Sequence, residues 1–177
     1  MLMKIKSLIK LTLKHMQKIT PFLWFDKEAE EAVEFYTSVF KNSEKGKITR
    51  YTEEGREIHG MPAGTVMTVD FRIEGQNFTA LNGGSTFGFT EAVSFVINCE
   101  SQDEVDYYWE KLSRGGDPKA QVCGWLKDKY GVSWQVVPVV LSELLNGVNS
   151  EEVMKELLKM KKIEIAKLKR ASELKQK

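Results

Sequence analysis

The sequence predicts an α+β fold in which a β-α-β-β-β arrangement occurs twice and a charged helical segment follows. Three observations carry this expectation. Strand-like alternation recurs in both halves, most clearly in Thr65–Ile73 (TVMTVDFRI), where Met67, Val69, Phe71 and Ile73 alternate with Thr68, Asp70 and Arg72. One amphipathic helix pattern stands in each half, and EAVEFY (Glu31–Tyr36) lies over DEVDYY (Asp103–Tyr108) with matching residue types at every position but Ala32/Glu104, as an internal repeat would. Beyond Pro138 the strand pattern stops, and apolar residues recur at helical spacing among lysines and glutamates.

In chain order, Ile19–Phe25 is an apolar run with β-branched and aromatic residues, hence a strand. Asp26 is a candidate N-cap, and Glu28, Glu30 and Glu31 sit favourably near a helix N-terminus. Ala29, Ala32, Val33, Tyr36 and Phe40 then recur at helical spacing. Lys47–Tyr51 reads as a second strand, Thr65–Ile73 as a third, and Gly75-Gln76 as a tight turn into Asn77–Leu81. In the second half, Val93–Cys99 is a strand, and Ser101 or Asp103 caps a helix over Glu104–Leu112 that Gly115-Gly116 ends. Gln121–Leu126 and Val132–Val137 read as strands joined by the charged turn Lys127–Gly131, and a strand over Asp117–Ala120 is only weakly marked. Leu141–Leu145 makes a helical turn. Ser150 then caps one long helix, whose stripe of Val153, Leu157, Met160, Ile163 or Glu164, and Leu168 needs a cover. The expected organisation is an N-terminal extension (1–15), a first module (16–90), a second module (91–138) and a C-terminal helical arm (139–177).

Composition narrows the function classes. The chain has 177 residues, enough to bury a core without staples. Its net charge is +1, with acidic and basic residues interleaved, so no nucleic-acid-coating surface is expected. Two cysteines, Cys99 and Cys123, make no disulfide framework and read as reduced thiols in a cytoplasmic protein. No run of 18 apolar residues exists, so no stable membrane insertion is expected. In residues 1–15 the lysines interrupt every candidate signal-peptide core. That segment reads as a basic amphipathic helix, a frayed extension, or a stretch upstream of a true start at Met16.

Several side chains invite chemistry. His59 lies in a Gly- and Pro-containing loop, EGREIHGMPAG, where a solvated imidazole is the simplest reading. Cys123 has no histidine near it in sequence to activate a thiolate, so it reads as a small apolar residue. Asp70 and Arg72 share one face of their strand and point either into an enclosed space or into water, with water expected. Asn82-Gly83-Gly84-Ser85 follows a strand but precedes no helix, so it is no phosphate-binding loop.

ITPFLWF, AEEAVEFYTSVF, GTVMTVDFRIEGQNFTALNGG, VSFVINCESQDEVDYYWEKL, CGWLKDKYGVSWQVVP and the tail KMKKIEIAKLKRA resemble one family. It is the PhnB-like branch of the glyoxalase/bleomycin-resistance/dioxygenase superfamily, which has the vicinal oxygen chelate fold. The branch often carries the description "3-demethylubiquinone-9 3-methyltransferase". The resemblance implies two curled sheets forming a cup and a homodimer. In metal-dependent relatives, His and Glu side chains on the first and fourth strands of each module hold a divalent ion. Carried onto this chain, those positions fall at Pro21, at Ala80 or Asn82, at Ser94 and at Gln135, which are poor donors. No metal and no cofactor are therefore expected. The expected function is metal-free binding of a small aromatic or lipophilic molecule by Phe25, Met67, Asn82, Phe87, Ser94, Trp125 and Gln135. Two alternatives stand beside it: an enzyme of methyltransferase, lyase or dioxygenase type acting on a quinone-like or vicinal-oxygen substrate, and a dimeric interaction module with a vestigial cup.

Overall fold

Two short turns with left-handed backbone set the registers of the two sheets. At the first, Glu74 (φ 46°) and Gly75 (φ 81°) join paired residues Ile73 and Gln76. Positive φ at both central residues matches the twist of a two-residue hairpin. At the second, Cys123 (φ 51°) and Gly124 (φ 86°) join Val122 to Trp125 in the same way. The computed structural model describes residues 17–174. The expectations for residues 1–15 lie outside the described residues. The described residues divide into two units, one built from Gln17–Leu23 and Ala29–Gly83, the other from Trp24–Glu28 and Gly84–Leu174.

The first unit follows the expected order. Strands β1 (Phe22–Phe25), β2 (Ser43–Arg50), β3 (Val66–Ile73) and β4 (Gln76–Asn82) form a sheet in the order β1-β4-β3-β2. Helix α1 (Ala29–Val39) covers one face, burying Ala29, Ala32, Val33, Tyr36 and Val39. The Tyr36 ring stacks on Phe71, which stacks on Phe78. Fully burying an apolar side chain of this size stabilises by about 2 kcal/mol, so this layer supplies much of the unit's cohesion. The N–H of Ala29, orphaned at the helix start, is taken by Asn82 Oδ1 at 2.8 Å. That cap comes from the far end of β4, not from the neighbouring Asp26. A one-turn helix α2 (Arg56–His59) lies in the connection between β2 and β3.

The second unit departs from the repeat. Strands β5 (Phe95–Cys99), β6 (Trp125–Lys127) and β7 (Ser133–Pro138) form a three-stranded sheet in the order β5-β7-β6, with β5 and β7 parallel. The weak strand at Asp117–Ala120 is a 3-10 turn: Pro118 opens it, and the Asp117 carboxylate accepts from Lys119 N at 2.8 Å. Of Gln121–Leu126 only the end is strand, because the left-handed turn at 123–124 interrupts it. Helix α3 (Gln102–Ser113) is capped by Ser101, the first of the two candidates, whose Oγ accepts from Glu104 N at 3.2 Å. Asp128, in the charged turn, is 2% exposed. Its Oδ1 accepts from Tyr130 N and Val132 N, and its Oδ2 from Trp134 Nε1 at 2.9 Å.

The helical turn expected over Leu141–Leu145 is helix α4 (Val140–Leu145), and the long helix expected after Ser150 is in fact two short ones, α5 (Ser150–Leu157) and α6 (Ile165–Ser172). Asn149, not Ser150, precedes α5. The break after Leu157 lets the connection dock, with the carbonyls of Met160 and Lys161 accepting from Cys123 N and Gly124 N at 2.8 Å each. Gln102 completes the dock, donating to Ile163 O and accepting from Ile165 N. The expected stripe residues Val153, Leu157, Met160, Ile163 and Leu168 therefore pack on one another, with Leu141, Leu144 and Leu145 against them. The chain covers its own stripe, so that stripe gives no reason for a dimer.

Cys99 is fully buried at the end of β5. Burial, with a smaller contribution from the Glu104 carboxylate, pushes its thiol up to about 12. Iodoacetamide at pH 8 should leave Cys99 unmodified in the native chain and label it in urea, as mass mapping would show. Labelling of the native protein would contradict its burial. The sign for stability follows: between about pH 9 and 12 only the unfolded chain releases this proton, so stability falls as pH rises through that window.

Candidate functional site

In the second unit, strand alternation separates two sheet faces. Phe95 and Trp134 are paired across β5 and β7 with rings 5.4 Å apart, on the side of buried Val136. The opposite face carries Val96, Trp125 and Gln135, because Val96 and Trp125 are both register partners of Gln135. Ser94, just before β5, joins them, with Gln135 Nε2 donating to its Oγ at 2.9 Å. Three of the expected ligand-binding residues, Ser94, Trp125 and Gln135, are thus brought together on one face. Val96 there is 51% exposed, so the face is open on the chain itself.

The other expected residues lie elsewhere. Phe25 is buried, its ring edge-on to Phe89 at 5.1 Å and to Tyr130 at 6.2 Å, which makes it a core residue. Phe87 is exposed and stands edge-on to Trp24, whose Nε1 is fixed by Gly84 O at 2.8 Å. Met67, in the first unit, is half-buried at a register irregularity between Thr49 and Arg50. Asn82 needs correction as a ligand contact. Alternation on β4 buries Phe78, Ala80 and Asn82 together, and the Asn82 amide is spent at both ends, on Ala29 N and on Val66 O.

The first unit holds a concavity at Asp70 and Arg72, the alternative that the sequence offered and ranked below open water. A groove of about 340 Å³ opens between β2, β3 and β4, lined by Thr20, Glu44, Lys47, Asp70, Arg72 and Thr79 among others. Asp70 Oδ1 accepts from Thr79 Oγ1 at 2.8 Å. Arg72 Nε lies 3.0 Å from Glu44 Oε1, in an ion pair too misaligned to give the buried Nε–H an acceptor. Asp70 and Arg72 therefore line a concavity, where the alternation alone favoured open water. Their shared face was the legible signal; the concavity was not. His59 lies apart, its ring 4.5 Å from that of Tyr51 and its Nδ1 accepting from Met61 N at 3.0 Å.

A glyoxalase-type chelate needs imidazole or carboxylate on the open-face positions of the first and last strands of each module. In the first unit, alternation gives β4 the open-face residues Asn77, Thr79 and Leu81, not Ala80 or Asn82, and β1 gives Phe22. In the second, the corresponding residues are Ser94, Val96 and Gln135. None carries a donor suited to Zn²⁺ or Fe²⁺. Among the described residues, no three of His, Cys, Asp and Glu form a group able to hold a metal. The residues present do not fit the superfamily's ion.

The chain is thus a mixed α+β protein with two small sheets, of four and three strands, and C-terminal helices. Residues 17–137 match the family model described as 3-demethylubiquinone-9 3-methyltransferase, and the chain belongs to that PhnB-type family. A PhnB protein from Bacillus cereus, solved under the same methyltransferase description, is 40% identical, with a TM-score of 0.58 over 70% of this chain and 100% of that one. Protein PA1353 from Pseudomonas aeruginosa is 19% identical, with a TM-score of 0.52 over 69% and 97% of the two chains, and shares the fold. The Listeria monocytogenes fosfomycin resistance protein FosX is 18% identical, with a TM-score of 0.46 over 72% and 96%. No curated protein matches. Among the described residues, no helix is long and apolar enough to cross a membrane.

Proposed function

We propose that the chain binds a flat, partly apolar small molecule on the open face of its second sheet, without a metal. The observation that supports this reading is the Ser94–Gln135 hydrogen bond beside Trp125. An amide and a hydroxyl fixed by each other offer a directed acceptor and donor, and the indole beside them supplies stacking surface. This is the polarity of an aromatic ring bearing oxygen substituents. A quinone of the kind the family description names belongs to that class. Methyl transfer would further require binding of a methyl donor.

The test is an amide NMR titration of the full chain with 2-naphthol. Saturable shifts are expected at 94–97, 125–127 and 133–137. Gln135→Leu should weaken binding about tenfold, the loss of about one hydrogen bond, with the melting temperature little changed. Diffuse shifts, or full affinity in Gln135→Leu and Trp125→Ala, would overturn the reading. Turnover of S-adenosylmethionine with a demethylated quinol, read as methyl incorporation by mass spectrometry, would replace binding by catalysis. A homodimer and a cytoplasmic setting belong to the same proposal, and size-exclusion chromatography with light scattering checks the first, expecting twice the chain mass.

A further inference from the structure

The groove of the first unit is shaped by a break in strand periodicity. Between the register pairs Lys45↔Phe71 and Ile48↔Val69, two residues of β2, Gly46 and Lys47, stand against Asp70 alone. That is a β-bulge, and its consequence is geometric. In a regular strand Lys45 and Lys47 would point to the same face. Lys45 goes to the helix side, where its Nζ meets Glu30 and Glu34 of α1 at 2.9 and 3.0 Å. The extra residue turns Lys47 to the other face, where it lines the groove with Glu44, Asp70 and Arg72. Gly46 keeps the floor open, since a Cβ there would come within 3.0 Å of the Asp70 carbonyl oxygen.

The groups gathered there have unspent capacity. Lys47 has no hydrogen-bond or ion-pair partner among the described residues. Among the described residues Arg72 is paired only through Nε, with Glu44, and neither terminal nitrogen has a partner there. Asp70 uses one oxygen on Thr79 and keeps the other. We propose that this groove binds a small bipolar molecule, its oxyanion held by Lys47 and Arg72 and its amine or hydroxyl donating to Asp70. A guanidinium presents paired N–H donors that match a carboxylate or a phosphate, and a lysine adds a point charge. The two carboxylates of the groove disfavour a bare anion, which is why the ligand must carry a donor as well.

This proposal does not rest on the reading of the second sheet's face, and its test uses different probes. The full chain is titrated with phosphoethanolamine, and separately with inorganic phosphate and with sodium chloride at matched ionic strength, reading amide shifts by NMR. Phosphoethanolamine should give saturable shifts at 44–48, 70–72 and 77–79, and should bind at least tenfold tighter than phosphate. Lys47→Gln, a change at an exposed side chain without partners among the described residues, should weaken both phosphate compounds at least tenfold while the melting temperature stays put. Asp70→Asn should remove the preference for phosphoethanolamine and leave phosphate binding equal or stronger. Equal shifts with chloride, or unchanged affinity in both Lys47→Gln and Arg72→Gln, would overturn the proposal. So would shifts confined to the second unit.

Discussion

Asp128→Ala should lower the melting temperature by about 10 °C and shift the urea midpoint accordingly. The carboxylate is 2% exposed and accepts from Tyr130 N, Val132 N and Trp134 Nε1. Removing it leaves all three donors without their acceptor in a place that water does not readily reach. Each such orphan costs about 1–3 kcal/mol, so a loss of about 4 kcal/mol is expected in total. For a domain of this size 1 kcal/mol shifts the melting temperature by about 2–4 °C. Asp128→Asn keeps an acceptor for the two backbone donors and turns an amide toward the indole, so it should recover about half of the loss. The structure makes this turn the joint that fixes β6 to β7, beside Trp125 and Gln135. The same substitution should therefore weaken 2-naphthol binding. Chemical denaturation of the three proteins decides the matter, and a change of under 1 kcal/mol for Asp128→Ala would contradict the network.

Gly124→Ala should cost about 3–4 kcal/mol, and most of that should appear in the C-terminal helices. Two effects add. The residue has φ +86°, where a Cβ costs about 1–2 kcal/mol. The same Cβ would come within 2.8 Å of Ile163 Cδ1 and 2.9 Å of Val136 O, and overpacking of this kind costs about 1–3 kcal/mol. Gly75→Ala separates the two, because its φ is +81° but a Cβ there meets nothing within 4 Å. Gly75→Ala should lose only the backbone part. Hydrogen exchange gives the location: in Gly124→Ala, amides of α5 and α6 and of Cys123 should exchange faster, since the Met160 and Lys161 carbonyls dock on that turn. Equal losses in the two variants would show that the dock is not tight.

The repeat of EAVEFY and DEVDYY, the alternation of Val69, Phe71 and Ile73, and the cap at Ser101 were legible in the sequence because they are local: each depends on neighbours within a turn or a strand. The family was legible for the same reason, in contiguous strings such as CGWLKDKYGVSWQ. The missing strand at 117–120 was half legible, in Pro118 and the lack of apolar alternation. The single long C-terminal helix was a misreading with a clear cause. An apolar stripe at helical spacing continues through residues 158–164 even though that segment leaves the helix to meet Cys123 and Gly124. Periodicity reports which residues are buried and says nothing about where the axis turns.

The candidate sites divide along the same line. Sequence alone determined the class of fold and the poor chemistry of the superfamily's ligand positions, because residue type decides what can bind a metal. It also singled out Ser94, Trp125 and Gln135, which the second sheet does bring together. Only tertiary structure decided that Asn82 serves as the remote cap of α1, that Asp128 is a buried acceptor within a charged turn, and that Lys47 turns into the groove beside Arg72. Each of these depends on a partner far away in the chain or on one extra residue in a strand. A shift of a single residue reverses the face to which every following side chain points, and only the pairing of strands shows where such a shift occurs.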